Sequence, residues 1–229
     1  TLGLLLALSL VASTRIVTKN FNNNVISVTG SAYEIVKSDS GTLNFDINVK
    51  SQTKQEAYKI SQNQIEIVKK YLTEKQIKNI ELKTVNGYYS YKRNPKTGEY
   101  TDIPDVYNLT QPVTISSDNV ELIKDISNNI TGLIDKGVDI NAYSPSYDYS
   151  KLPDLKVSLL EKASKDAKAR ATSMLKPTHN SVGKIQSVRM GVYQITPVDS
   201  TSVSDMGIND TSSIDKKVTA VANVVFRIK

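Results

Sequence analysis

Tyrosines are the side chains in this sequence whose type and spacing point most clearly to a binding surface. Tyrosine joins a large apolar ring to a polar hydroxyl, a combination that suits contacts with protein or glycan. Aromatic pairing across two strands, which only stabilises a sheet, is the simpler interpretation. Three tyrosines lie in a late extended stretch, at positions 143, 147 and 149. The candidate interaction surface is formed by five tyrosines of one predicted hairpin: Tyr88, Tyr89, Tyr91, Tyr100 and Tyr107.

A polar loop near the C-terminus carries the side chains closest to a metal-binding set. Carboxylate and amide oxygens are the ligands that calcium prefers, but the spacing of an EF-hand is absent. We therefore expect a flexible, solvated loop over residues 199–215 and predict no metal site. The oxygen-bearing residues of this loop are Asp199, Asp205, Asn209, Asp210 and Asp215.

Two further titratable residues invite a catalytic interpretation, and the sequence supports neither. His179 is the single histidine, and no carboxylate or nucleophile is fixed beside it, so we expect a surface histidine at a helix end. Asp166 has Lys162 and Arg170 four residues away on either side, which is typical of a solvated helix face. No catalytic residue and no cofactor are predicted.

Composition narrows the functional classes. The chain has 229 residues, no cysteine and a formal net charge of +6. Without cysteine there are no disulfides, thiolate nucleophiles or cysteine metal ligands, and a single histidine argues against structural zinc. The basic charge suits anionic lipid or wall polymer as well as nucleic acid. Because no nucleic-acid-binding signature is present, we expect no nucleic-acid partner.

The first residues indicate export. Residues 1–14 are uncharged and rich in leucine, and a polar spacer follows at residues 18–24. This pattern is typical of the apolar part of a signal peptide or of a membrane anchor. Small residues for a cleavage site fit only loosely at 11–14, so we expect an uncleaved N-terminal anchor over residues 1–24. A cleaved signal peptide and a buried core helix are the alternatives. The chain from residue 25 onward is then expected outside the cytoplasm, in the periplasm or at the cell surface.

The first half of the chain predicts strands around one helix. Residues 25–38 are extended, and residues 42–50 alternate strictly between apolar and polar side chains, as in a half-buried strand. Thr53 and Glu56 form a capping box that starts a helix ending near Lys75. Residues 79–116 predict a hairpin with its turn at 94–98. Since proline cannot donate to a ladder, the return strand with Pro104 and Pro112 should be an edge strand or bulged there.

The second half predicts two further helices and two strands. Asp118 should cap a helix that stops at Gly137, and residues 138–149 are extended again. A helix from Pro153 to Pro177 carries a narrow stripe of Leu160, Ala163, Ala167, Ala171 and Met174. Strands follow at 185–195 and 218–228. The predicted fold class is α+β, a mixed and largely antiparallel sheet with helices packed on one face. Two half-domains, 25–116 and 117–229, are a further possibility.

Several segments form a recognisable pattern along the chain: 26–32, Glu56-Ala57, Ala163 to Ala171, Gly183-Lys184-Ile185 and the alternating Val218 to Phe226. Together with the order of the elements, they resemble the SIMPL-domain family of bacterial exported proteins over residues 25–229. Three loops depart from the family pattern: 37–40 lacks Pro-Asp, 176–179 lacks Leu-Gly, and 215–217 lacks Pro-Gly. The resemblance implies the family's fold for this chain, but it does not imply the family's geometry for these three loops.

The resemblance implies an envelope protein with oligomeric relatives, with no established enzymatic activity or cofactor, and it supplies no site residues. We therefore predict a non-enzymatic exported protein of the cell envelope that acts by self-assembly or by binding an envelope protein or glycan. The alternative is an envelope hydrolase that acts on wall polymer through paired carboxylates. A membrane-tethered scaffold is a third, weaker possibility.

Overall fold

The computed structural model describes residues 24–229. The predicted leader and most of its spacer lie outside the described residues. Within the described part of the chain, no helix combines the length and apolar character needed to cross a membrane. The predicted α+β class is confirmed, with the strands arranged in two sheets rather than one.

Eleven strands and three α-helices follow one another in the described residues: β1 Val25–Lys37, β2 Ser40–Ser51, α1 Lys54–Glu74, β3 Asn79–Leu82, β4 Asn86–Arg93, β5 Tyr100–Ser117, α2 Val120–Asn129, β6 Asp139–Ala142, β7 Ser146–Asp148, α3 Leu152–Leu175, β8 Val182–Met190, β9 Gln194–Pro197, β10 Ile208–Asn209 and β11 Asp215–Ile228. A 3-10 segment, Ile130–Lys136, continues α2, and a second one, Lys176–Thr178, continues α3.

The described chain forms two compact units that interleave along the sequence. The first unit comprises residues 24–35, 151–209 and 217–229, and the second comprises 36–150 and 210–216. The boundaries of these units therefore do not lie between residues 116 and 117, where the two possible half-domains would meet. Compact units follow the pairing of strands that are distant in sequence, which local sequence patterns do not encode.

The second unit is built around β2, whose predicted alternation is confirmed. Leu43, Phe45 and Ile47 are fully buried, and helices α1 and α2 cover this face of the sheet. β2 pairs antiparallel with β5 without a register shift, from Gly41–Ser117 to Ser51–Tyr107. This unbroken register is expected where one strand face is fully apolar, because a slip by one residue would expose every core side chain.

The caps of α1 and α2 agree with the sequence only in part. Thr53 Oγ1 accepts from the Glu56 N–H at 3.2 Å, as predicted, whereas the Glu56 carboxylate accepts from Ser51 Oγ at 2.6 Å. The cap of α2 is Asn119, whose Oδ1 accepts from the Leu122 N–H at 3.2 Å, so the assignment of Asp118 was wrong by one residue. Asn is as good an N-cap as Asp, and composition does not decide between neighbours.

The two prolines of β5 lie in different surroundings. Pro104 opposes Tyr91 between two register shifts, so the predicted bulge is confirmed there. At Pro112 β5 is not an edge strand, because β2 pairs on one side and β3 and β4 follow on the other. Pro112 lies opposite the gap between β3 and β4, where the Lys83 N–H donates to its carbonyl at 3.0 Å. The Gln111 side-chain amide donates to the Lys83 carbonyl at 2.6 Å, in place of the N–H that proline lacks.

The first unit packs α3 against a sheet in the order β1-β11-β9-β10, with β8 also paired to β11. Ala163, Ala167 and Ala171 are fully buried, as predicted, and pack with Phe226 in the core. Any side chain at Gly30 would collide with the α3 backbone at Ala163, so glycine is required for this close approach.

Three details of the first unit differ from the prediction. Leu159 rather than Leu160 is buried, and Met174 is exposed, because the buried residues recur at every fourth position from Leu155 to Leu175. The predicted strand 185–195 is interrupted at Gly191 and forms β8 and β9. The last strand, β11, is central in its sheet and buries Val218 to Phe226 in strict alternation, as expected for a C-terminal strand that stays ordered.

Candidate interaction surface

The candidate surface lies on the hairpin formed by β4 and the first half of β5. The two strands pair antiparallel from Asn86–Thr110 to Arg93–Tyr100, with register shifts after Tyr89 and after Tyr91. The turn closes with Asn94 N–H to Glu99 carbonyl and Gly98 N–H to Asn94 carbonyl bonds, both 2.8 Å. Gly98 has a φ of +74°, which glycine adopts without strain. The predicted hairpin and turn are therefore confirmed, with a break at 83–85 between β3 and β4.

Four of the five candidate tyrosines are on the surface and the fifth is in the core. The exposed fractions are 66% for Tyr88, 37% for Tyr89, 47% for Tyr91 and 67% for Tyr100. Tyr107 is 7% exposed and packs with Val49, Ala57 and Leu109. Because Tyr107 opposes Ser51 of the central strand β2, its ring lies beneath α1 rather than at the hairpin tip. Tyr107 is structural and is removed from the candidate surface.

Gly87 and Tyr89 hold the Tyr107 ring in place. A side chain at Gly87 would collide with the Tyr107 ring and hydroxyl, so the ring lies directly over the glycine backbone. The Tyr89 ring meets the Tyr107 ring edge to face, with 4.8 Å between centroids and 66° between planes. Such pairs contribute about 0.5–1.5 kcal/mol beyond area burial. Tyr89 therefore belongs both to the surface and to the packing beneath it.

One face of the hairpin concentrates the exposed aromatic side chains. Tyr89, Tyr91 and Arg93 alternate along β4 and so point to the same side, and Tyr100 opposes Arg93 across the pair. We call Tyr89, Tyr91, Arg93 and Tyr100 the tyrosine face. Tyr88 points to the opposite side of the ribbon.

Arg93 is the member of this face that sequence reasoning missed. Its guanidinium carbon lies 4.4 Å from the centroid of the Tyr100 ring, and its Nη2 donates to the Tyr100 hydroxyl at 2.7 Å. A cation over an aromatic ring contributes about 0.5–1 kcal/mol at an exposed site. The contact fixes the Tyr100 ring and leaves a planar cation beside it. The available signal was its position two residues after Tyr91, directly before the turn.

The later tyrosines serve the fold of the second unit. Tyr143 donates its hydroxyl to Asp46 Oδ2 at 2.6 Å, and this bond to a carboxylate raises the pKa of Tyr143. Tyr147 is buried in the main core, where burial raises its pKa. Both side chains are therefore committed to contacts within the unit.

Asp166 was predicted to lie on a solvated helix face, but its carboxylate also accepts a hydrogen bond from β1. Its Oδ2 accepts from the Ser31 N–H of β1 at 2.8 Å and from Arg170 Nε at 2.7 Å. The hydrogen bond from Ser31, followed by the Arg170 cation, holds the pKa of Asp166 below its ordinary value. His179 lies where it was expected, exposed at the end of the 3-10 segment after α3, with a φ of +56°.

The acidic loop is divided between the units. Asp199, Asp205 and Asn209 belong to the first unit and Asp210 and Asp215 to the second. Asp210 Oδ1 accepts from the Ser212 N–H at 2.9 Å and from its hydroxyl at 2.6 Å. The described residues contain no group of three or more His, Cys, Asp or Glu side chains placed to hold a metal ion.

Lys216 is the one charged residue among the buried side chains of the described chain. It is 3% exposed, and its Nζ donates to the Asp210 carbonyl at 2.6 Å and lies 3.9 Å from Asp210 Oδ2. Burial lowers the pKa of Lys216. This pair anchors the loop segment 210–216 to the second unit.

A polar pocket of about 390 Å³ lies in the second unit between the start of β2, the end of α1 and the end of β5. Its lining includes Ser40, Lys78, Ser116 and a single carboxylate, Asp118. Glycoside hydrolysis uses two facing carboxylates, so this pocket does not provide the arrangement required by the hydrolase alternative.

Comparisons with known proteins agree with the resemblance in the sequence. A comparison with curated proteins gives no match. Residues 26–226, nearly the whole described chain, match the family described as SIMPL, "Protein of unknown function (DUF541)". The strand order, the alanine stripe of α3 and the buried alternation of β11 lie within this match. The chain belongs to the SIMPL family.

Proposed function

We propose that this SIMPL protein is a non-enzymatic, exported protein of the cell envelope that acts by contact with a second copy or with another envelope component. The tyrosine face is the contact surface. The observation that carries this proposal is the exposure of three tyrosines and an arginine on one side of a two-stranded ribbon.

The composition of the tyrosine face matches that of interface centres. Tyrosine and arginine are enriched among the few residues that dominate binding energies, each of which costs about 2 kcal/mol or more when truncated. The rings are restrained before binding, since Tyr89 rests on Tyr107 and Tyr100 is held by Arg93. Restrained side chains lose less conformational entropy in a complex, which favours binding.

Export rests on the leucine-rich residues 1–14 and the polar spacer that follows. A reporter that is active only outside the cytoplasm, fused after Lys229, tests this part of the proposal. We expect an active reporter with the complete chain and a silent one when residues 1–15 are removed. A silent reporter on the well-expressed complete chain would contradict export.

The contact surface is tested by replacing Tyr89, Tyr91 and Tyr100 together with Ser in the full chain, purified in a mild detergent. We expect light scattering to show a shift from an assembly toward the monomer, or the loss of an envelope component that copurifies. Tyr88→Ser, on the opposite side of the ribbon, is the matched control. The double variant of Tyr91 and Tyr100 keeps the Tyr89–Tyr107 contact and separates lost binding from lost packing.

An unchanged assembly and unchanged copurification in the triple variant would refute the tyrosine face as the contact surface. A wild-type chain that is monomeric at every concentration would refute self-assembly and leave contact with another envelope component. The far-ultraviolet spectrum of each variant is a separate control, which shows that the variant is folded.

A further inference from the structure

The outer edge of β1 has no strand beside it in the described residues of the first unit. β1 pairs only with β11, at the end of the sheet order. The Ile228 N–H donates to the Asn24 carbonyl and the Ser38 N–H to the Ile214 carbonyl, both at 2.8 Å. These two bonds flank the pair of β1 and β11 and lie in one register, from which it follows that the even-numbered residues of β1 bond to β11. The odd-numbered residues therefore direct their N–H and C=O groups to the outer edge.

Helix α3 closes this edge at one point. The Asp166 carboxylate accepts a hydrogen bond from the outward N–H of Ser31. The neighbouring residue, Gly30, allows the backbone of α3 to approach β1 closely. Residues 25–29 lie beyond this point, and the outward groups of Val25, Ser27 and Thr29 have no strand partner in the described chain.

A groove runs beside the open part of the edge. It has a volume of about 530 Å³ and lies between residues 27–29 of β1 and Ala169, Arg170, Ser173 and Met174 of α3. Met174 is 59% exposed, although its neighbours Ala171 and Leu175 are buried. The groove is thus a partly walled space of mixed apolar and polar lining, directly alongside unpaired backbone.

β1 lacks the protection that the other exposed strands carry. β8 has Lys184, Arg189 and register shifts along its pairing with β11, and β4 has Lys92, Arg93 and register shifts. Charges and bulges of this kind prevent pairing between edges. Residues 25–33 contain no charge and no proline, and the bonds that flank β1, Ile228 to Asn24 and Ser38 to Ile214, lie in one register. An unprotected edge, in contrast to the protected strands β8 and β4, indicates a strand that pairs with a partner.

We propose that residues 25–29 of β1 pair antiparallel with the same residues of a second copy of this chain, about a two-fold axis at Ser27. The segment is neutral, so pairing with itself brings no like charges together. A closed two-fold contact also consumes both open edges, which prevents growth into a filament.

The register follows from Asp166. An axis at Thr29 would pair Ser27 with Ser31, whose N–H is already bonded to Asp166. The axis at Ser27 keeps that bond and uses all three free outward residues, pairing Val25 with Thr29 of the second copy. In this register residues 25–29 of the second copy lie alongside the groove, while Val28 of each copy stays packed in its own core. The pairing does not involve the tyrosine face, so its test is independent of the test of the proposed function.

Single cysteines test this register cleanly because the chain has none of its own. Hydrogen-bonded antiparallel partners have Cα atoms about 5.5 Å apart, within the range of a disulfide. We expect Ser27→Cys, in the full chain in mild detergent, to form a covalent dimer under mild oxidation. Val25→Cys and Thr29→Cys should each remain monomeric, since equivalent residues are then about 14 Å apart, whereas an equimolar mixture of the two should cross-link.

Gln186→Cys, on the exposed strand β8, is the matched control for random collision. Cross-linking at Ser27 with a silent control supports the proposal. Equal cross-linking of both variants, no cross-link at Ser27, or no mixed cross-link between Val25→Cys and Thr29→Cys overturns it. Cross-linking that persists after the three tyrosines are replaced shows that this contact is separate from the tyrosine face.

Charge reversal at the axis provides a test without cysteine. Ser27→Lys and Ser27→Glu each place like charges opposite one another and should shift the chain toward monomer. An equimolar mixture of the two should restore the dimer. Equal association of the single variants and the mixture would contradict pairing at Ser27.

Discussion

We expect the Gln111 side chain to contribute more to the free energy of unfolding than its position on a regular strand suggests. Its Nε2 donates to the Lys83 carbonyl at 2.6 Å and to the Pro112 carbonyl at 2.9 Å. The Lys83 N–H already donates to the Pro112 carbonyl, and the N–H and C=O of one extended residue point the same way. A normal residue at 112 would therefore bond the Lys83 carbonyl itself. Gln111 supplies the donor that Pro112 lacks.

Gln111→Leu keeps the volume of the side chain and removes the donor. Losing one such bond in a partly buried setting costs about 1–2 kcal/mol, which corresponds to about 2–8 °C in Tm for a chain of this size. Pro112→Val restores a backbone donor but loosens the unfolded chain, at a cost of about 0.4–1 kcal/mol. In the Gln111→Leu background the new N–H should recover about 1 kcal/mol.

The assay is urea unfolding of the wild type, the two single variants and the double variant. We expect the double variant to be more stable than the sum of the two single changes implies. Gln52→Leu, on an exposed turn, controls for the loss of an amide and should change stability by less than about 0.5 kcal/mol. Additivity of the two changes within about 0.3–0.5 kcal/mol would refute the assigned role of Gln111.

Three further outcomes follow from burial and charge. Phe226→Ala should cost about 3–5 kcal/mol in urea unfolding, whereas Arg227→Ala should cost less than about 0.5, and equal midpoints would contradict the facing of β11. Tyr107→Ala should likewise lower the Tm far more than Tyr100→Ala, and the reverse order would mean that Tyr107 is not in the core. The depressed pKa of Asp166 stabilises the fold above its ordinary value of 3.8, and this contribution is lost as the pH falls through the lower folded value. In Asp166→Asn the Tm should fall less steeply with decreasing pH than in the wild type. An unchanged dependence of the Tm on acid pH would rule out this contribution.

The strands and helices that were predicted correctly are those with a strict local pattern. Phe45 and Phe226 each lie on an apolar face with period two, and the burial of those faces leaves one solution for the strand. Gly137 and Pro177 mark helix ends because their backbone properties act locally. These signals need no knowledge of distant residues.

The candidate surface could be predicted only in part. Tyr107 is in phase with Leu109, Val113 and Ile115, so strict alternation already places it on the buried face. Tyr91 and Tyr100 lie beyond register shifts, and the sequence does not show where extra residues enter a strand. The hairpin was therefore predictable, whereas the composition of its exposed face was not.

Contacts between distant residues were not predictable from the sequence. Asp166 and Ser31 are 135 positions apart, and the bond between them depends on where α3 crosses β1. Gly30 was the available signal, because a glycine inside a strand often marks a close approach of another backbone. It indicates that something lies near β1 but not which helix, nor that the edge beyond it stays open.

The most direct test of the tyrosine face is photo-cross-linking in living cells. A photoreactive phenylalanine analogue is placed at Tyr91 in the full chain, with the equally exposed Tyr58 of α1 as the control position. We expect a discrete adduct at Tyr91, with a second copy or with one envelope component, and none at Tyr58. The absence of a specific adduct at Tyr91, or the same adducts at both positions, would contradict this expectation.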